Sequence, residues 1–400
     1  MNLLFVATKT PWPPADGGRL LLANTLRALA DLGHRPALVA PVAPGEDAAR
    51  AVAALSAWCR PHLVPGAPLG PGAALVRAWV RGEPFSIARH TLPAVGGEVE
   101  RLLGAERFDI VHAEQLQALS QAAGAAAAGV PVVLRAQNVE SDLWLASGRR
   151  REGWRGRWLA REGKSLAGWE GDALARVAAA VALSPLDADR LRHLAEEAGS
   201  SARVHVAPVP FPGELPPGRT LLAGDPAVVV LGSRGWLPNR DAAQWLAREI
   251  WPAVREALPA AVLHLFGQEI EIARGAGIES HEAPGDSAQA FAANAILAVP
   301  LRIASGVRMK VLEAWARGVP VVATPEALAG LDVRDGREAL VARDPRGFTR
   351  AFAALHRDPE LVATLVAGAR RTLAERHAPA LAARELLAVY ADVSRRRFDR

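Results

Sequence analysis

Short, almost uninterrupted apolar runs return along the chain at intervals that leave room for a helix between them. LLFVAT (3–8), PALVAPV (36–42), FDIVHAE (108–114), PVVLRAQN (131–138), VAAAVALS (177–184) and ARVHVAPV (202–209) make a first series. AVVVLGS (227–233), AAVLHLFG (260–267), AILAVPL (295–301) and VPVVAT (319–324) make a second. A strand that is apolar at consecutive positions is buried on both faces, as in a parallel sheet covered by helices on each side. Parallel neighbours need long crossovers, and helical stretches such as 18–32, stopped at Gly33, supply them. Between the two series lies PVPFPGELPPGRTLLAGDP (208–226), too dense in proline and glycine to extend either sheet. The pattern predicts two doubly wound α/β domains, residues 1–208 and 227–379, joined by a linker at 209–226. The final helical segment, 380–400, follows the last strand and is expected to return to the first domain.

Four hundred residues are more than one hydrophobic core usually supports, which agrees with two domains. Half of the residues are hydrophobic and 22% are charged, the balance of a soluble globular chain. A single cysteine, Cys59, excludes an internal disulfide and a Cys-based zinc cluster and suits a reducing compartment. Lysine stands only at positions 9, 164 and 310, so the positive charge is almost all arginine, as expected of a GC-rich, alanine-heavy coding bias. A net charge of +5 permits an anionic partner such as a nucleotide or lipid headgroups without requiring one. No aromatic–basic module is present, and nucleic acid is not an expected partner. In MNLLFVATKT the short apolar run precedes Lys9, the reverse of a signal peptide, and no stretch reaches the roughly 20 apolar residues of a membrane span. A cytoplasmic protein is expected.

In open parallel sheets, ligands collect at the carboxyl ends of the strands, so the turns there are the places to look for chemistry. After the first strand, TKTPWPPADGGRL (8–20) brings Gly17 and Gly18 to the start of a helix. Those glycines let backbone N–H groups approach an anion, or they simply end a proline-rich loop. After AILAVPL comes SGVRMKVLEAWARG (305–318). There Ser305 is placed to cap a helix, Gly306 to expose its first N–H groups, Lys310 to meet a diphosphate and Glu313 to accept from ribose hydroxyls. The same residues also fit an ordinary helix with a Lys310–Glu313 ion pair. LGSRGWLPNRDA (231–242) puts Arg234, Asn239 and Arg240 on a loop before a helix starting near Asp241, either a phosphate contact or a plain surface loop. RAQNVES (135–141) carries Gln137 and Asn138 at a strand end, and FDIVHAE carries His112, which fits an acid–base group or a hydrogen-bonded structural histidine equally.

HExxH, GxSxG and GxxxxGK[ST] are all missing, which argues against a zincin, an α/β-hydrolase and a P-loop ATPase. No metal-ligand spacing stands out, and neither a metal nor a cofactor is expected. RRREGWRGRWLAREGK (149–164) sets Trp154 and Trp158 a helical turn apart among arginines. It reads either as a helix lying on an anionic membrane or as a solvated linker helix weakened by Gly153, Gly156 and Gly163.

Taken together, these stretches resemble the family 4 (group 1) glycosyltransferases over nearly the whole chain. The resemblance rests on PPADGGRLLLANTLRALADLGH (13–34), FDIVHAEQ (108–115), SPLDADRL (184–191) and, most specifically, SGVRMKVLEAWARGVPVVAT (305–324). GSRGWLPNRDAAQWLAREIWPAV (232–254) looks like a subgroup that serves exopolysaccharide or surface-glycan assembly in bacteria. The resemblance implies the GT-B fold, two facing Rossmann-like domains, with the nucleotide-sugar donor on the second and the acceptor on the first. It implies a retaining transferase using a UDP- or GDP-sugar as substrate and a glycan or lipid-linked acceptor; peripheral inner-membrane contact through 149–164 is the expectation from that stretch's own arginines and tryptophans. By the same resemblance Glu313 holds the donor ribose, Lys310 and Arg234 meet its phosphates, and Asn239, Ser305 and Gly306 complete the donor site. Gly17 and Gly18 would line the cleft from the first domain, with Gln137 and His112 beside the reaction. The chain departs from the family pattern in several places, among them the second-domain loop, where Asn239 stands near the place of the usual lysine, and PVP (208–210) in place of P-N-G. It also has Ser305 where the family has a glutamate eight positions before Glu313, and Gln137 where a histidine is usual. Those departures also suit a catalytically silent partner subunit, and the shared architecture suits a nucleotide-sugar epimerase using His112.

Overall fold

The computed structural model describes residues 1–218, 221–233, 235–267 and 277–398. They form two compact units. The first comprises Met1–Pro14, Gly18–Pro210 and Pro379–Arg400, and the second Ala15–Gly17 and Phe211–Ala378. The proline-rich stretch after Pro210 is grouped with the second unit.

The first unit holds a seven-stranded parallel sheet of β1 (Leu3–Ala7), β2 (Ala37–Val42), β3 (Arg60–Pro65), β4 (Ile110–Glu114), β5 (Val132–Ala136), β6 (Ala179–Ala182) and β7 (Val204–Val206). Their order across the sheet is β3-β2-β1-β4-β5-β6-β7, so the winding reverses between β1 and β4. Alternate residues of β1 explain why its sequence is apolar throughout. Leu4 and Val6 enter one core with Val111 and Leu134, while Leu3, Phe5 and Ala7 enter another on the opposite face. The second core is closed by the last helix, Pro379–Phe398, through Leu386, Val389, Tyr390 and Val393. The chain's final helix does return to the first unit.

The second unit repeats the plan with β8 (Ala227–Leu231), β9 (Val262–Phe266), β10 (Ile278–His281), β11 (Ala295–Val299), β12 (Val321–Ala323) and β13 (Leu340–Val341). Their order is β10-β9-β8-β11-β12-β13, parallel throughout, with the reversal between β8 and β11. Three strands, β3, β10 and β13, were not expected from the sequence. All three lie at sheet edges and are only partly buried. An edge strand is not enclosed on every side, so it need not carry the continuous apolar run by which the central strands are recognised.

The segment 149–164 corrects an expectation. Its glycines do not weaken a helix; a single helix, Gly153–Arg176, runs through them. Gly156 and Gly163 are buried against the preceding helix, Glu140–Arg149, where Gly148 faces Gly156 and Leu145 faces Gly163. A Cβ on Gly163 would fall 2.8 Å from the Leu145 backbone nitrogen, and one on Gly148 would fall 2.8 Å from that of Ala160. The glycines let two helix backbones meet.

Candidate active site

The carboxyl end of the second unit's sheet is built around Lys310. The helix Met309–Arg317 follows β11, and Gly318, left-handed at φ 72°, stops it. Its second residue sends an ammonium group across the reversal point to the last carbonyl of β8, donating to Leu231 O and, at 3.2 Å, to Asn239 Oδ1. These acceptors are neutral, and no carboxylate among the described residues takes a bond from this ammonium. The residue as a whole stays partly exposed while its charged end is enclosed by protein atoms. Burial, with the Arg308 guanidinium nearby, lowers the Lys310 pKa to about 7. Arg308 is itself buried, and it lies over Trp236 at 5.3 Å from the ring centre. Two cations are thus packed where a doubly wound sheet receives ligands.

Glu313 lies on the same helix but turns elsewhere. Its Oε1 accepts from Ser287 Oγ at 2.5 Å and from Arg317 Nε at 3.0 Å. The Lys310–Glu313 ion pair expected as an alternative is therefore replaced by a Glu313–Arg317 pair, both side chains largely buried. Both accepted bonds fall on one oxygen.

Three other expectations need correction. The helix begins at Met309 with Arg308 as its cap residue, so Ser305 is not the N-cap and Gly306, at φ 74°, belongs to the preceding turn. The helix after β8 begins at Leu237, not near Asp241, because Pro238 occupies its first turn. Asn239 therefore sits inside that turn, 7% exposed, and holds Lys310 instead of lying on a loop. Its side chain comes so close to Gly232 that a Cβ there would meet it at 2.5 Å. Arg234 lies outside the described residues.

At the carboxyl end of the first unit's sheet the polar groups are linked in series. Thr8 Oγ1 donates to Gln115 Oε1 at 3.1 Å, across the β1–β4 reversal. Gln115 Nε2 donates to Gln137 Oε1 at 2.6 Å, and Gln137 Nε2 donates to Glu114 Oε1 at 2.8 Å. Gln115 has a left-handed backbone, φ 74°, the sole non-glycine residue so found among those described. Below it Arg135 Nε donates to both Glu114 oxygens at 3.0 Å, and Arg135 Nη1 donates to Thr25 Oγ1 at 2.9 Å. Burial works to raise the Glu114 carboxyl, but Arg135 and His112 together hold it at about 2.

His112 is the clearest departure from the site expected. It is 0% exposed within β4, with Nε2 3.2 Å from Glu114 and Nδ1 2.7 Å from the Tyr390 hydroxyl, and its ring stacks on Phe5. Burial lowers its pKa. This is the hydrogen-bonded structural histidine, not an acid or base open to substrate, and with it goes the basis of the epimerase reading. Gly17 and Gly18 do open a helix, Gly17–Asp31. Glu140 is a buried carboxyl that no sequence pattern marks. It starts the helix after β5, and burial raises its pKa against hydrogen bonds from Asn138 and Gln117.

The exposed apolar surface is also not where it was expected. Trp158 packs against Phe85 and Trp144, both at 5.7 Å, leaving Trp154 as the exposed tryptophan of that pair. The unpartnered stripe lies on the helix Pro71–Arg81, where Val76 is 64% and Trp79 85% exposed, beside Leu75 and Val80. No described helix is long and apolar enough to cross a membrane.

Two parallel, doubly wound units are the architecture of the GT-B fold. Residues 15–212 match the model described as Glycosyltransferase Family 4, and residues 225–358 match that of Glycosyl transferases group 1. The chain belongs to this family and is a glycosyltransferase. Among solved structures it is similar to sucrose-phosphate synthase from Thermosynechococcus elongatus (TM-score 0.72, 14% identity, 98% of both chains covered). It is likewise similar to HepE from Anabaena in complex with UDP and glucose (0.65, 15%, 98% of this chain and 99% of that one). A glycosyltransferase from Rickettsia africae gives 0.61 at 12% identity, over 98% and 97%. At such identities the likeness is one of fold. No curated protein matches the sequence.

Proposed function

We propose that the chain transfers a sugar from a nucleotide-sugar donor to a glycan or lipid-linked acceptor, with retained configuration, in the assembly of a surface polysaccharide. The observation that carries the donor half is Lys310, an enclosed cation bonded only to neutral oxygens at the β8–β11 reversal, with Arg308 nearby. A diphosphate supplies the negative charge that such a site lacks. The complexes of Anabaena HepE with UDP and with UDP-glucose support this choice of ligand.

In this reading the diphosphate is the leaving group, and Lys310 and Arg308 stabilise the charge that develops on it. Oε2 of Glu313 accepts from the ribose hydroxyls, because Oε1 is already engaged by Ser287 and Arg317. The acceptor is held by the polar strand ends of the first unit, Gln137 and Asn138 among them, and a leaving phosphate oxygen takes the proton of the attacking hydroxyl. No cofactor enters this scheme. A lipid-linked acceptor would be approached by resting the exposed face of the 71–81 helix on the membrane, with the exposed Arg81 near anionic headgroups.

Calorimetric titration with UDP-, GDP- and ADP-sugars tests the donor site. One of them is expected to bind, and Lys310→Ala to weaken it at least about tenfold, the loss of a charged hydrogen bond to phosphate. Equal binding by the variant would remove Lys310 from the site.

A further inference from the structure

We propose that His264, Glu279 and His281 form a binding site for a divalent metal ion of the zinc class on the β9–β10 edge of the second unit. Glu279 lies opposite His264 in the parallel register, and His281 lies opposite Phe266. Side chains alternate along a strand, so all four project from the same face, while Leu263 and Leu265 enter the core on the other. One ligand atom from each of the three polar residues points into a common space. His264 Nδ1 is 2.9 Å from His281 Nε2 and 3.4 Å from Glu279 Oε2, and His281 Nε2 is 3.8 Å from that same oxygen. Ligand atoms on neighbouring corners of a tetrahedral zinc site stand about 3.3 Å apart, given bonds of about 2.0–2.1 Å.

The hydrogen bonding explains why a cation belongs there. His264 Nε2 is 2.9 Å from the carbonyl oxygen of Ala223. A carbonyl only accepts, so Nε2 carries the hydrogen and Nδ1 of the neutral ring presents a lone pair. That lone pair faces a carboxylate oxygen and another ring nitrogen. The proton on His281 Nε2 can serve one of these acceptors, but a metal ion serves all three. When the metal binds, the His281 proton moves to its Nδ1 through solvent, which reaches this 31%-exposed side chain, and no net proton is released.

The surroundings match those of a metal centre. A ligating histidine is normally oriented by a carbonyl or carboxylate on its other nitrogen, and Ala223 does this for His264. Phe266 stacks on the His281 ring at 4.4 Å and fixes its plane. His264 is buried at 1% exposure, whereas Glu279 is 49% exposed, so the ion has an anchored floor and an open approach. Two imidazoles and one carboxylate suit zinc and its neighbours in preference to magnesium or calcium. The sequence hides the site because its ligands come from two strands.

The test uses the full chain, stripped with EDTA and dialysed against Zn²⁺, with bound metal counted by mass spectrometry and Co²⁺ used as a spectroscopic probe. One equivalent of Zn²⁺ is expected, with the strong visible absorption of low-coordinate Co²⁺ and a raised thermal midpoint. Glu279→Gln alters a half-exposed side chain and should keep the native circular dichroism while weakening Zn²⁺ binding at least about tenfold. His281→Ala should abolish the Co²⁺ spectrum. No saturable uptake by the wild type would overturn the proposal. So would equal uptake by both variants, which would leave the cluster as a histidine–histidine hydrogen bond.

Discussion

Lys310 carries its charge at a cost that a ligand can relieve. With burial lowering its pKa to about 7, Lys310 gives up its proton far more readily than an exposed lysine. A diphosphate stabilises the ammonium form, so binding takes up a proton above pH 7, and affinity should fall by up to about tenfold per pH unit there. Titration in buffers of different ionisation enthalpy measures that uptake, and Lys310→Met should abolish it. Glu114 and Arg135 present the opposite case, a buried pair whose charges already answer each other. Glu114→Gln would leave Arg135 enclosed without its counter-ion, a loss of about 3–5 kcal/mol measurable by urea unfolding. Lys310 and Glu313 could be read from the sequence because one short motif contains both. Their partners could not, because Leu231, Asn239 and Ser287 are brought in by other parts of the chain. The two readings of His112 were separated by its burial and its partners, one of which, Tyr390, arrives from the far end of the sequence.

Helices and strands were legible to the extent that they are buried. Central strands announce themselves by apolar runs on both faces, and of the four edge strands only β7 carries such a run. The 153–176 helix shows how composition misleads, since its glycines signal contact with a second helix that no local pattern names. Gly163→Ala should cost about 1–3 kcal/mol through the clash with Leu145, seen as a lower thermal midpoint. The same helix supplies Glu170, whose carboxylate receives the backbone N–H groups of Glu140 and Ser141 at 2.8 and 2.9 Å and so caps the neighbouring helix. Burial raises its pKa from 4.5 to about 7. Its contribution to stability is therefore fully present below pH 4.5 and is lost as pH rises through 7, about 3 kcal/mol in all. Urea midpoints at pH 5 and 8 should differ in that sense, and less so in Glu170→Gln. On the 71–81 helix, Trp79→Ser with Val80→Ser should leave the thermal midpoint unchanged and reduce sedimentation with anionic vesicles, because those side chains pack on nothing in the fold.

Across the whole molecule, each unit has a core of its own, so nucleotide should not stabilise both alike. Scanning calorimetry with a nucleotide at a hundred times its Kd should favour the second unit's transition by about 2.7 kcal/mol. The order of the chain imposes a different constraint. The first unit needs Pro379–Arg400, and those residues follow everything that builds the second. On a ribosome adding about 5–20 residues per second, the first sheet therefore waits roughly ten to forty seconds for the helix that covers one of its faces. During that interval Phe5, Leu38 and Val181 lack their final cover, and His112 lacks the Tyr390 hydroxyl. The first unit to be synthesised is the last to be finished. A message cut short before the codon for Pro379 would yield a chain with a complete second unit and an exposed apolar sheet in the first, a form that chaperones and proteases are equipped to detect.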